Sequence, residues 1–240
     1  MGWLDWFTGG EEGQLDRHAK RVKNLNAQAE DRQASAQWLA SNGSEKAIYG
    51  LLGRFSVNYE HQMKDAAEKD LVMDLLRELG PEKIEGPVRA WVRKNDQFAR
   101  PLALMLELAG GAAVVDLLLE LLGREVDPFK PEKKRQILIK LSDHQDPRIP
   151  ARVSPCLEDF DEGIRYAAAE ALLAQEDPNV RPDLAKALAN RQEESNRLRV
   201  RIAAAFAERG WELGEHRAAV AERPPVGWRV VDGKMVPTGA

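Results

Sequence analysis

The stretch Arg165-Tyr-Ala-Ala-Ala-Glu-Ala-Leu172 begins with a basic residue and continues with small and large apolar residues at helical spacing. Two other stretches align with it: Lys134-Arg-Gln-Ile-Leu-Ile-Lys-Leu141 and Arg199-Val-Arg-Ile-Ala-Ala-Ala-Phe206. One shared position of the alignment holds Ile137, Ala168 and Ile202, and another holds Leu141, Leu172 and Phe206. Small residues at such positions let neighbouring helices approach closely, while larger ones fill the space between layers. The alignment therefore predicts helices that repeat and pack against one another.

The basic residue that opens each stretch returns along most of the chain. It recurs 31 to 37 residues apart, at Arg32, Lys69, Arg100, Lys134, Arg165 and Arg199. A period of this size fits two helices of about three turns each with two short loops. The chain is therefore predicted to be a series of helix pairs.

Each predicted pair has an outer helix, called A, and an inner helix, called B, separated by turns rich in Gly, Pro or Asp. A helix over 15–25 is predicted to precede the first pair as a cap. The six predicted pairs are 30–40 with 45–54, 62–79 with 82–93, 97–108 with 112–122, 132–142 with 148–159, 162–175 with 179–189, and 193–208 with 213–222.

The segment Asp159-Phe-Asp161-Glu-Gly-Ile-Arg165, continued by Ala-Ala and Leu172, resembles bacterial HEAT-like repeats of the PBS-lyase type. The resemblance extends over 30–222 and is strongest in the last two pairs. It implies an all-α fold, a right-handed α-solenoid of about six HEAT-like helix pairs. In the family, the Asp of the turn and the Arg of the helix often form a ladder between repeats, which would give Asp161 and Arg165 a structural role. Arg100 departs from the pattern because Pro101 follows it directly.

The C-terminal end has a different pattern, in which Asp232-Gly233 separates two short apolar runs as the turn of a β-hairpin does. The predicted strands are Trp228–Val231 and Lys234–Val236. An isolated hairpin is marginal in water, so it is expected either to lean on the last helix through Trp228 and Met235 or to pair with a partner strand. The predicted organisation is a Trp-rich N-terminal segment at 1–12, the solenoid at 13–223 and the hairpin tail at 224–240.

Composition argues against several functional classes. The net charge of −4 lacks the basic excess of a dedicated nucleic-acid binder. One cysteine permits no internal disulfide, and no apolar run approaches the roughly 20 residues that cross a bilayer. We therefore expect a cytoplasmic protein.

Catalytic and metal chemistry find little support in the sequence. The four histidines, at 18, 61, 144 and 216, lie in separate parts of the chain, so no metal site is predicted. Cys156 lies between Pro155 and Leu157 on a B helix, which favours a buried small hydrophobe over a nucleophile. We expect a protein that is not an enzyme and needs no cofactor.

Solenoids bind partners along an extended concave surface, and in HEAT-like arrays the B helices line it. The side chains predicted to contact a partner there are Tyr49, Arg89, Trp91, Arg93, Arg148, Arg152, Arg181, Lys186 and Arg217. Arginine suits bidentate contacts with carboxylates. The leading hypothesis is a non-enzymatic adaptor or scaffold that binds a protein, with an acidic or helical segment as the expected ligand.

The first residues suggest a second contact surface, with Trp3, Trp6 and Phe7 close together. They could dock on a partner or at a membrane interface, or fold back onto the first helix. Two alternatives to the adaptor stay open: a membrane-associated scaffold held by this segment, and an enzyme similar to the HEAT-like DNA glycosylases. The glycosylase alternative would use Trp91 and Asp96.

Overall fold

The structure, a computed structural model, describes residues 10–125 and 130–239. These residues are mostly helical, with a short two-stranded hairpin near the C-terminus. They divide into two compact units, unit 1 (Met1–Val114) and unit 2 (Val115–Ala240). None of the described helices is both long and apolar enough to cross a membrane.

The helices of unit 1 follow one another with short turns. They are α1 (Gly10–Val22), α2 (Ala29–Asn42), α3 (Glu45–Leu52), α4 (Gln62–Leu79), α5 (Pro81–Lys94), α6 (Ala99–Ala109) and the start of α7 (Gly111–Leu122). The A helices α2, α4 and α6 contact one another in order, and the B helix α3 contacts the B helix α5. Helix α1 packs on both α2 and α3, in the position predicted for the cap.

The turn between α2 and α3 shows how the sequence ends one helix and begins the next. Gly43 has a φ of 63°, a left-handed conformation that glycine adopts without steric cost, and its N–H bonds to the carbonyl of Leu39. Ser44 then caps α3 by accepting a hydrogen bond from the N–H of Ala47. The two helices are therefore held as an antiparallel pair by local chemistry.

A buried charged cluster lies between the first two pairs of unit 1. Arg54, whose side chain is 2% exposed, donates to Asp65 at 2.7 Å and to Glu68 at 3.2 Å. Arg32 donates to the same Glu68 at 2.6 Å, and both guanidinium groups lie over the ring of Tyr59. The cluster satisfies the charges of side chains from successive pairs, which indicates a structural role.

Unit 2 continues with helix pairs of the same kind. Its helices after α7 are α8 (Pro131–Leu141), α9 (Ile149–Val153), α10 (Glu162–Ala174), α11 (Arg181–Ala189), α12 (Asn196–Glu208) and α13 (Arg217–Glu222). The A helix α8 contacts α10, and α10 contacts α12. The B helix α11 likewise contacts the B segment before it and the B segment after it. The six residues assigned to the two shared positions, Ile137, Leu141, Ala168, Leu172, Ile202 and Phe206, are all 0% exposed.

Some B helices are shorter than the sequence predicted. The helix predicted over 148–159 is α9 followed by a 3₁₀ turn, Ser154–Glu158. Pro155 lacks the N–H that an α-helix needs at that point, which explains the change of geometry. A 3₁₀ turn at Pro178–Val180 precedes α11 in the same way.

Basic residues of the A helices cross to the next pair in unit 2. Arg165 donates to both carboxylate oxygens of Glu193, at 2.6 and 2.9 Å, and Lys134 bonds to Asp159 at 2.6 Å. Asp161 does not pair with Arg165; its carboxylate accepts from the N–H of Ile164 and so caps α10. The acidic partner of Arg165 is therefore Glu193, a residue that the family pattern did not indicate.

The C-terminal hairpin has the predicted turn and strands. Strand β1 (Trp228–Val231) pairs antiparallel with β2 (Lys234–Pro237), and Asp232 and Gly233 both have positive φ. Met235 is 2% exposed and β2 contacts α12. The hairpin therefore leans on the last A helix, which was one of the two expected outcomes.

Candidate functional site

A groove of about 1300 Å³ crosses three successive B segments of unit 2. We call it the unit 2 groove and define it by its lining residues, which are Pro150, Ala151, Ser154, Pro155, Leu157, Glu158, Asp159, Phe160, Arg165, Asp183, Lys186, Ala187, Ala189, Asn190, Gln192, Glu193, His216 and Ala219. The B segments that supply most of them are α9 with its 3₁₀ turn, α11, and α13 with the turn before it.

The shape of the groove follows from a repeat in the sequence. Pro155, Ala187 and Ala219 are 32 residues apart, at one position of three successive B segments, and all three line the groove. None of these side chains extends far from the backbone, so together they leave space along the stacked segments. The same period that builds the core therefore also builds an open channel across the surface of unit 2.

An exposed aromatic ring stands at this groove. Phe160 is 91% exposed, although a phenylalanine gains about 1.5 to 3 kcal/mol from full burial. It lies in the turn between the 3₁₀ segment and α10, flanked by Asp159 and Asp161. An aromatic side chain held in water beside a groove is a feature typical of a binding surface.

The charges of the groove are mostly paired. Lys186 bonds to Glu158 at 2.6 Å, with both side chains 66% exposed, and Arg165 bonds to Glu193. The hydrogen bond with Lys186 lowers the pKa of Glu158, and the same bond raises the pKa of Lys186. Both groups therefore stay charged at neutral pH.

Glu193 is the most enclosed carboxylate of the groove, with its side chain 3% exposed. Burial alone would raise the pKa of Glu193, but hydrogen bonds from Arg165 and from the N–H of Ser195 outweigh it and hold the pKa below its ordinary value. Glu193 therefore keeps its charge in the folded protein and fixes the loop between α11 and α12.

Asp183 differs from the other groove carboxylates. Its carboxylate accepts a hydrogen bond from the hydroxyl of Ser154, and in the part of the chain that the structure describes no basic side chain forms an ion pair with it. Asp183 is exposed at the start of α11. It is therefore a negative charge that a ligand could reach.

Lys186 is the one residue of the predicted binding set that lines the unit 2 groove. Arg148 is engaged by Asp116 and Asp146, and Arg152 donates to the carbonyl of Leu119. Arg181 and Arg217 are exposed but lie outside the lining. Much of the basic surface predicted for an acidic ligand is thus already bound to the protein itself.

In unit 1 the prediction for Trp91 is wrong. Its side chain is 2% exposed and belongs to the core with Val88 and Val92, so it cannot meet a protein partner or stack on a base. Arg89 donates to Glu85 and to the carbonyl of Ala113. Tyr49 is half-buried, and Arg93 is exposed.

Three predicted contacts, Trp3, Trp6 and Phe7, lie outside the described residues. Phe160 and Asp183 were missed by the sequence reasoning, which searched the B helices for arginine. The signal for Phe160 was available as a large apolar residue between two aspartates in a turn. Among residues 10–125 and 130–239, no group of three or more His, Cys, Asp or Glu side chains could hold a metal ion.

The sequence matches no protein-family model. No curated protein matches it at a significant level. Among solved structures, a crystal structure of an engineered protein is similar over 80% of this chain and 94% of its own, with 15% identity and a TM-score of 0.39. A likeness this weak assigns neither a fold family nor a function.

Proposed function

We propose that the protein is a non-enzymatic adaptor that binds a segment of a partner protein in the unit 2 groove. The observation that carries the proposal is the groove itself, an open channel across three successive B segments with an exposed phenylalanine beside it. In this proposal the helix pairs form a right-handed HEAT-like solenoid, and the groove is part of its concave face. Stacked B helices offer such a surface to extended ligands.

The repeat geometry supports a polypeptide as the ligand. A polypeptide segment can follow a channel that keeps the same side-chain profile from one B segment to the next. The column of Pro155, Ala187 and Ala219 provides that profile. A charged anchor for the segment is available at Asp183 on α11, which forms no ion pair among the described residues.

The test fills the groove and leaves the fold intact. Ala187→Arg places a long side chain on the groove floor, and Ala218→Arg places the same side chain at an exposed position outside the lining. Proteins captured from the native host by the wild-type chain are identified, produced in pure form and titrated calorimetrically against all three chains. We expect direct binding by the wild-type chain and by Ala218→Arg, with at least a tenfold loss for Ala187→Arg.

Circular dichroism checks that each variant is folded. A purified partner that binds the Ala187→Arg chain as tightly as the wild-type chain would contradict the proposal. Because the control carries the same added charge and length, a general electrostatic effect would weaken or strengthen both variants together.

A further inference from the structure

We infer that the segment bound by the unit 2 groove carries a lysine or arginine next to an apolar or aromatic residue, with Asp183 receiving the cation and Phe160 packing on the neighbour. The inference rests on the proposed function and specifies the chemistry of its ligand. It differs from the acidic segment that the arginines of the B helices predicted.

The charged side chains that line the groove favour a cationic ligand. The lining contains four acidic side chains, Glu158, Asp159, Asp183 and Glu193, two basic ones, Arg165 and Lys186, and one histidine, His216. Arg165 and Lys186 each already bind a carboxylate of the groove, so neither is left to attract an anionic ligand. An acidic segment would have to displace one of these ion pairs before it gained anything.

Asp183 is the carboxylate of the groove that is not already in an ion pair within the described part of the chain. Lys134 bonds to Asp159 from outside the lining, which leaves Asp183 as the groove carboxylate without an ion pair among the described residues; Lys186, three residues along α11, attracts it only at longer range. Its hydrogen bond from Ser154 fixes its orientation and leaves its negative charge in place. A ligand cation can therefore bind it without breaking an existing ion pair.

Phe160 offers an aromatic surface to the ligand. Its exposed ring can cover an apolar side chain of the ligand, and a cation placed over an aromatic face is attracted by the ring quadrupole. Phe160 and Asp183 both line the groove, so one segment that lies in the groove can contact both. A basic residue with an apolar neighbour can use both Asp183 and Phe160, whereas a basic residue alone gains less from the apolar surface.

The experiment selects a ligand without assuming its sequence. A phage library of random 12-residue peptides is panned on the immobilised wild-type chain, and enriched peptides are synthesised with a fluorescein label for anisotropy titration. We expect the enriched peptides to contain Lys or Arg beside an aromatic or aliphatic residue. Their affinity should fall as the salt concentration rises, because the ion pair at Asp183 is solvent-accessible.

Two groove variants then test the assigned roles. Asp183→Asn and Phe160→Ala should each weaken the selected peptide about tenfold, a loss equivalent to about 1.4 kcal/mol. Glu208→Gln removes an exposed carboxylate outside the groove and should leave the affinity unchanged. Panning on Asp183→Lys should recover acidic peptides instead.

The outcomes separate the two proposals. Enriched peptides that are acidic, or that bind Asp183→Asn as well as the wild-type chain, overturn the assignment of a cationic ligand; if Ala187→Arg still abolishes their binding, the groove remains the binding site. Recovery only of peptides that bind Ala187→Arg and the wild-type chain equally well contradicts the proposed function, and the inference fails with it.

Discussion

Replacing Arg165 by methionine tests the ladder between the last helix pairs of unit 2. The substitution keeps most of the aliphatic packing and removes both hydrogen bonds, at 2.6 and 2.9 Å, that the guanidinium donates to Glu193, together with those that it donates to the carbonyls of Asp159 and Phe160. The carboxylate of Glu193 then stays buried with the N–H of Ser195, at 2.8 Å, as its remaining donor. The guanidinium of Arg199 still attracts Glu193 electrostatically, but Glu193 has lost the counter-ion that is hydrogen-bonded to it.

The size of the effect follows from burial. Removing one partner of a buried ion pair costs about 3 to 5 kcal/mol, because the other charge is left in a low-dielectric site. The side chain of Arg165 is 16% exposed and that of Glu193 is 3% exposed, so water reaches the site only slightly. We expect a loss near the lower end of that range, about 3 kcal/mol.

Hydrogen exchange followed by mass spectrometry measures this loss, as the free energy of opening of peptides from α10 and α12. It reports local stability, which suits a chain with two compact units. The control is Arg148→Met, which removes the ion pairs of a half-exposed arginine with Asp116 and Asp146, and we expect a smaller loss from it, below about 1 kcal/mol. Adding Glu193→Gln to Arg165→Met should restore more than half of the lost stability, because it removes the uncompensated charge.

Two results would refute this reasoning. A loss below about 1 kcal/mol for Arg165→Met would show that the pair is solvated in spite of its geometry. A double variant no more stable than Arg165→Met would show that the damage comes from lost packing or from the lost hydrogen bonds to the carbonyls of Asp159 and Phe160, and not from the buried charge.

Three further predictions concern unit 1. Gly50→Ala should destabilise the protein by about 1 to 3 kcal/mol in urea denaturation, because its new Cβ would lie 2.8 Å from the Cβ of Ala19. Arg54→Met should cost about 3 to 5 kcal/mol, measured in the same way, because it leaves Glu68 in the buried cluster with fewer donors. Burial acts to raise the pKa of Glu68, yet hydrogen bonds from its arginine partners hold this pKa below the ordinary value of 4.5. The urea concentration at the unfolding midpoint should therefore fall as the pH drops below 4.5. In Glu68→Gln the midpoint should fall less steeply with pH.

The helices could be predicted because their signals are local. Helix α4 begins and ends where predicted, at Gln62 and Leu79, and the strand Trp228–Val231 also agrees with the prediction. The signals for these elements are apolar periodicity, Gly-Pro turns and an Asp-Gly turn, which act over a few residues. The shared core positions of α8, α10 and α12 followed from the same alignment, because small and large residues alternate between stacked helices. Helix α9 is shorter than predicted because Pro155 has no N–H to donate to the preceding turn of an α-helix. The chain therefore continues as the 3₁₀ turn Ser154–Glu158.

The groove and the pairing of its charges could not be predicted in the same way. The arginines of the B helices were chosen for their charge, but an arginine is a site only if the fold leaves it without a carboxylate. Arg148 has two carboxylate partners, one of them 32 residues away in sequence, and no local pattern announces such a pairing. Trp91 failed for a related reason, because which face of a helix is covered depends on the helix packed against it.

The positions of the helices and the hairpin, the repeated residues and most core positions follow from the order of the amino acids, because helix formation and amphipathic burial depend on neighbours along the chain. Three-dimensional packing sets which charged side chains pair with each other and which stay without an ion pair. It left Asp183 without a basic partner among the described residues, turned Lys186 toward Glu158 and kept the ring of Phe160 in water. The physical reason is that the electrostatic partner of a side chain is chosen by distance in space, and the packing of successive pairs sets those distances.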